Sequence, residues 1–142
     1  MSVFDVSKLI LHLAGPMSAM KLQKLVYYGQ AWHLVWHDAP LFDARVEAWA
    51  NGPVVPVLYH VHRGRFTLTA DDIVGDPGNL TSDQIGTIET VLGFYGAKSA
   101  QWLSHLTHVE APWRNARAGM DHDHRASQEI TQTAMADYYG GL

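Results

Sequence analysis

The segment from Met20 to Trp36 constrains this chain more than any other stretch. Leu22, Leu25, Val26, Gly29 and His33 recur at helical spacing on one side, while Tyr27, Leu34 and Val35 lie on others. A helix that is apolar nearly all round must be covered by neighbours and belongs at the centre of a bundle. The fold expected is therefore mainly α, a compact single-domain helical bundle spanning residues 1–142, with a central apolar helix and a small β element. At 142 residues, 47% hydrophobic and 17% charged, the chain is too apolar to stay disordered. Folding at this length buries on the order of 68% of the unfolded surface, enough for a core without disulfides.

Local signals place the other elements. Val3, Val6, Leu9, Ile10 and Leu13 form an opening amphipathic helix after Ser2, Gly15-Pro16 ends it, and Ser18 caps the central helix. Val46, Ala48 and Ala50 alternate with Arg45, Glu47 and Trp49, which predicts a short strand near Val46 to Ala50. Asn51-Gly52-Pro53 reads as a turn, and a helix starts near Pro56. Phe66 to Leu80 holds few apolar residues and is expected to be mostly loop, the most mobile region of the chain. Thr81-Ser82-Asp83-Gln84 has the form of a capping box, followed by an apolar stripe of Ile85, Ile88, Val91, Leu92 and Tyr95. Gly96 is expected to close that helix in the left-handed conformation. Ser99 caps a further helix with Trp102, Leu103 and Leu106 inward, and Pro112 ends it. Arg117 to Ser127 is polar, and a last helix from Thr131 to Tyr139 turns Met135, Tyr138 and Tyr139 toward the body.

The residue types narrow the chemistry. The chain has no cysteine, so disulfides, thiolate metal sites and cysteine nucleophiles are excluded, and a reducing, cytoplasmic setting is expected. No apolar run approaches the roughly 18 residues needed to cross a bilayer, so no membrane is expected. Net charge is -4, running from +2 through Arg65 to -6 after it, with scattered cations; nucleic acid is not an expected partner.

Nine histidines invite a metal hypothesis, which their spacing does not support. His33 and His37 share a helix face without an intervening glutamate, and His33 reads as a hydrogen-bonded core histidine. His60 and His62 point to different sides of a helix, and His105 and His108 fall where a helix is ending. Asp121-His122-Asp123-His124 lies in a polar stretch that nothing preorganises, and Asp71-Asp72 reads as surface charge. No G-x-S-x-G elbow or glycine-rich phosphate loop occurs. No metal, no cofactor and no catalytic residue is therefore assigned. A His/Asp-dependent metalloenzyme is the alternative of a different class.

Several blocks in order carry a resemblance. They are Met20-Lys21-Leu22-Gln23-Lys24-Leu25-Val26-Tyr27-Tyr28, Ala31-Trp32-His33, Leu41-Phe42, Glu47-Ala48-Trp49, and Gly52-Pro53-Val54-Val55-Pro56-Val57-Leu58-Tyr59. Leu106-Thr107-His108 and Pro112-Trp113 follow. Together these resemble the Panacea domain, the SocA-like or phage-associated GepA family, most strongly over residues 6–113. The resemblance implies a mainly helical antitoxin of a toxin–antitoxin pair that neutralises a cognate protein toxin by direct binding. One branch of the family looks like a proteolytic adaptor, which implies a AAA+ protease as a further partner. The chain begins and ends almost where the domain does, so no DNA-binding appendage is expected.

Gly, Pro and Trp in such motifs usually build the scaffold, so Leu22, Gln23, Lys24, Leu25, Tyr27, Tyr28, Trp32, Gly52, Pro53, Val54, Pro56, Thr107, His108 and Trp113 are read as structural. For the partner-binding face we select Trp49 and Asn51 on the strand and turn, with Tyr59, Arg63 and Arg65 from the helix after them and its end. Aromatic and arginine side chains are enriched at interface hot spots. A core position for Trp49 is the competing reading, because its strand neighbours Ala48 and Ala50 are also apolar.

Overall fold

The computed structural model describes residues 2–118 and 128–142. Seven α-helices are present among the described residues: α1 (Ser2–Ala14), α2 (Ala19–His37), α3 (Pro56–His62), α4 (Ser82–Tyr95), α5 (Ala100–Val109), α6 (Ala111–Ala116) and α7 (Gln132–Gly140). Two antiparallel pairs accompany them, β1 (Met17–Ser18) with β4 (Thr67–Leu68), and β2 (Glu47–Trp49) with β3 (Gly52–Val54). The fold is mainly α, as expected.

The central helix is α2. From Leu22 through Leu34 every residue except Trp32 is buried, because α1, α4, α5, α7 and β3 all pack against it. Its start follows from Ser18, whose hydroxyl accepts the Lys21 amide at 3.1 Å, and it stops at Asp38 in a left-handed conformation. The covering is incomplete at the two ends, where Met20 and Trp36 are about 40% exposed.

Polar groups inside the bundle are paired. The hydroxyls of Tyr28 and Tyr139 donate to one oxygen of Glu110 at 2.6 and 2.8 Å, and the Tyr27 and Tyr139 hydroxyls meet at 3.0 Å. This knot ties α2, α7 and the α5–α6 junction together. Burial pushes the Glu110 carboxyl above its usual range, while the two hydroxyl donors pull the other way.

Several expectations are corrected. Residues 66–80 are not a loose connector: β4 pairs with β1 in the register Met17 to Leu68, two 3-10 turns follow, and Leu68, Ile73 and Leu80 are buried. Lys8 reaches across to the carbonyls of Ala70 and Ile73 at 2.9 and 3.0 Å, and Asp5 accepts the Asp76 amide at 2.8 Å. Asp72 is more than surface charge, since it accepts the Thr69 amide and so caps the first of those turns. Gly96 ends α4 in the right-handed region, φ -62, with its carbonyl accepting from Lys21. On α5, Leu103 and Thr107 face inward but Trp102 is 45% exposed, lying beneath the Lys98 ammonium. The predicted Asn51-Gly52-Pro53 turn is displaced, because Gly52 and Pro53 belong to β3 and the chain reverses at Ala50-Asn51.

Candidate functional site

The predicted partner-binding residues lie on the β2–β3 hairpin and on α3 and its end. The hairpin pairs Glu47 with Val54, Ala48 with Pro53 and Trp49 with Gly52. Ala48 turns both backbone groups away from β3: its amide donates to the Gln128 carbonyl at 2.9 Å, and its carbonyl accepts from Arg117 at 2.8 Å. Pro53 therefore sits opposite a residue that asks nothing of it, which is where a strand tolerates a missing N–H. Residues 128–130 lie along the free edge of β2, with the Ile130 amide donating to Val46 at 2.9 Å. Arg117, expected in a polar stretch, is instead a buried support of this hairpin.

Side chains of the sequence motif hold the hairpin backbone from beneath. Lys24 Nζ donates to the Pro53 carbonyl at 3.1 Å. Gln23 accepts the Val55 amide at 2.9 Å, and its side-chain amide meets His62 Nε2 at 2.9 Å. Trp113 Nε1 donates to the Trp49 carbonyl at 2.8 Å, and the Ser104 hydroxyl to the Asn51 carbonyl at 2.5 Å. Gly52 has φ 123, and a Cβ there would lie 2.6 Å from Lys24 Cε and 3.1 Å from Thr107 Oγ1. His108 stacks on Trp113 with ring centroids 4.0 Å apart. Leu22, Leu25, Tyr27 and Tyr28 are core, Trp32 donates to the Tyr95 hydroxyl at 3.0 Å, Val54 is buried in β3 and Pro56 opens α3.

Burial drives the Lys24 ammonium down to about 7 from its usual 10.5. The unfolded chain holds that proton more tightly than the folded one, so the contribution of Lys24 to stability is smallest below pH 7 and rises as pH climbs toward 10.5. Buried tyrosines, whose ionisation the fold opposes, limit the useful window to below about pH 9.5. Urea unfolding between about pH 6.5 and 9.5 is expected to show a gain of up to about 3–4 kcal/mol. Lys24→Met should flatten most of that slope; a Lys24→Met protein with the wild-type slope would contradict the assignment. Burial also holds the His62 imidazole below its usual value, keeping the ring neutral so that Nε2 accepts from Gln23.

On the outer side, the rings of Trp49 and Tyr59 meet edge to face at 4.9 Å and are half-buried. The Trp49 indole donates to Glu47 at 2.9 Å, so the ring is fixed rather than swinging. Asn51, Arg63 and Arg65 are exposed. Arg65 is held by Asp72 at 2.6 Å. Arg63 is the one lysine or arginine among the described residues whose charged head meets no other group of the chain.

The histidines divide as their spacing suggested. His33 Nδ1 is spent on the Thr87 hydroxyl at 2.7 Å, while His37 lies 3.8 Å from Asp83. His60 is exposed and His62 buried, on different sides of α3. Among the described residues no three histidine, aspartate or glutamate side chains gather to hold a metal ion, and no helix is long and apolar enough to cross a membrane. The Asp121 to His124 cluster lies outside the described residues.

The family described as "Antitoxin SocA-like, Panacea domain" matches residues 22–114, a stretch that holds most of α2, the whole hairpin, and Gln23, Lys24, Ser104 and Trp113 that clamp it. This chain belongs to that family. Among curated proteins it is similar to "Antitoxin SocA" of Caulobacter vibrioides (strain NA1000 / CB15N), at 41% identity over 111 residues. The alignment covers 69% of this chain and 58% of the relative, so the chain spans little more than half of that protein's length. No solved structure matches. The Panacea match begins at Leu22 and closes just after Trp113, so it brackets the hairpin and most of the side chains that hold it.

A second surface escaped the sequence reading. Trp32, Trp36, Val91, Phe94 and Tyr95 line an apolar cleft between the C-terminal halves of α2 and α4. The signal available in the sequence was Phe94, which stands off the α4 stripe and is 69% exposed.

Proposed function

We propose that this chain is an antitoxin that neutralises a protein toxin by binding it directly through the hairpin and α3. Membership of the Panacea family and the name of its Caulobacter relative support the antitoxin role. The observation that carries the choice of face is the combination of two ordered aromatic rings, an unpartnered arginine and a backbone held at Ala48, Trp49, Asn51, Pro53 and Val55. A surface fixed before binding loses little conformational freedom on docking, and Trp, Tyr and Arg are the residues that most often anchor interfaces.

Growth rescue tests this reading. The toxin encoded beside this gene is expressed with wild-type, Trp49→Ala or Arg63→Glu protein, and melting curves are recorded for each. Arg63→Glu is expected to impair rescue with the melting temperature unchanged, because the side chain is exposed and supports nothing. Trp49→Ala is expected to do the same with some loss of stability. Rescue surviving both substitutions would rule this face out. Delivery to a AAA+ protease is the competing mechanism, and it predicts rescue that disappears in a protease-deficient host.

A further inference from the structure

We infer that Phe66 is a further anchor for the toxin, carried on the loop that leaves α3, and that the surface it meets is an apolar pocket with a carboxylate at its rim. The inference rests on the reading of the hairpin and α3 as the toxin-binding face, and it names the chemistry of what docks there. Residues 63–66 are exposed at every position. Phe66 is 83% exposed, although Leu68 two residues on is wholly buried. The loop that carries this ring is tied down. The Arg63 amide donates to the Tyr59 carbonyl at 2.8 Å and the Arg65 amide to the His62 carbonyl at 2.9 Å. Gly64 makes the turn between them with φ 87, a left-handed conformation suited to glycine. The Phe66 carbonyl accepts the Ala19 amide at 2.8 Å, which fixes the loop to the start of α2, and the ladder between β1 and β4 begins at the next residue, Thr67. Arg65 is pinned to Asp72 at 2.6 Å. None of these contacts uses the Phe66 side chain, so the fold holds the backbone of the loop and leaves the ring in solvent. An aromatic ring on a backbone fixed before docking loses little freedom when it binds, which suits an interface anchor.

The surroundings point to the chemistry of the partner. Residues 48–70 contain no aspartate or glutamate. Of the two acids that follow, Asp72 is held by Arg65 and the Thr69 amide, and Asp71 sits in the turn after β4. Arg63, three residues from Phe66, keeps a guanidinium that meets no other group of the described chain. A carboxylate beside the pocket would complete it, in the paired geometry that arginine forms with such groups. A second copy docking through this loop about a two-fold axis would set Arg63 against Arg63. An anionic membrane is also a poor match, because attachment through charge takes a cluster of basic residues, and here one free arginine stands near two acids.

The probe is the purified neighbouring toxin, titrated calorimetrically into the full chain carrying Phe66→Ser, Phe66→Leu or Val74→Ser, with a melting curve for each. Val74 is the control: it is 90% exposed but adjoins Gly75, where an added Cβ would lie 2.8 Å from the Phe4 backbone of α1. Phe66→Ser is expected to weaken binding about tenfold or more with the melting temperature unchanged, Phe66→Leu much less, and Val74→Ser not at all. Added salt is expected to weaken wild-type binding. Wild-type affinity in Phe66→Ser, or equal losses from Phe66→Ser and Val74→Ser, would overturn the inference and leave the hairpin face standing wherever Arg63→Glu and Trp49→Ala still weaken the complex. Affinity that added salt does not lower would overturn the carboxylate. A lowered melting temperature in Phe66→Ser would make the ring part of the fold and count against the inference as well. No complex with the wild-type chain would remove this inference together with the reading it rests on. Two more outcomes would assign the ring elsewhere and so overturn it: dimerisation of the free protein that Phe66→Ser abolishes, and binding to phosphatidylglycerol vesicles that the same change abolishes.

Discussion

Gly52→Ala is expected to lower stability by roughly 2–6 kcal/mol, from two causes acting at one position. The backbone there has φ 123, a region that residues with a Cβ rarely adopt. An added Cβ would also lie 2.6 Å from Lys24 Cε and 3.1 Å from Thr107 Oγ1. Lys24 cannot swing aside easily, because its stem is buried and its ammonium is held by the Pro53 carbonyl. Gly64 supplies the control, with φ 87 and nothing within 4 Å of the position a Cβ would take. Gly64→Ala should therefore cost about 1 kcal/mol from backbone strain alone. Chemical denaturation of the two variants checks the contrast, and equal losses would mean that the contact with Lys24 and Thr107 is unimportant.

Leu25→Ala is expected to cost about 2–5 kcal/mol. Leu25 is fully buried on the face of the helix that its neighbours enclose, so removing three carbons forfeits burial and leaves a cavity the surrounding helices cannot close. For a domain of this size a loss at the upper end shifts the melting temperature by more than about 10 °C. Unchanged thermal unfolding would contradict the central placement of α2.

What the sequence disclosed and what it hid follow from the range of the interactions involved. The central helix was legible because burial on all sides leaves no polar face, and its start was legible because Ser18 acts within one turn. Thr81 and Ser99 cap α4 and α5 for the same local reason. The β1–β4 pair was not legible: it joins Met17 to Leu68 through strands of two residues, too short to show a period. Pro53 was misplaced in a turn because its tolerance in β3 depends on Ala48 across the ladder, whose partners Gln128 and Arg117 come from distant sequence. Trp102 followed the helical stripe yet stayed outside, since α5 packs through Leu103 and Thr107.

At the candidate face, the half-burial of both Trp49 and Tyr59 combines two readings the sequence kept apart. One edge of the aromatic pair belongs to the fold, and the other is open. The pairing of Arg65 with Asp72, by contrast, required seeing residues 66–80 as ordered structure, and it leaves Arg63 as the one of the two arginines whose charged head has no partner. Gln23 accepts the Val55 amide while Lys24 and Trp113 donate to the Pro53 and Trp49 carbonyls, which accounts for side chains with polar ends in an otherwise apolar setting.

Direct binding of the toxin through a preordered hairpin face is tested most directly by titrating the purified neighbouring toxin into this protein in a calorimeter, without any protease present. A one-to-one complex with a dissociation constant on the order of nanomolar is predicted, weakened about 30-fold or more by Arg63→Glu at unchanged melting temperature. Heat-silent mixing of two folded proteins that migrate separately, or wild-type affinity in Arg63→Glu and Trp49→Ala alike, would contradict it.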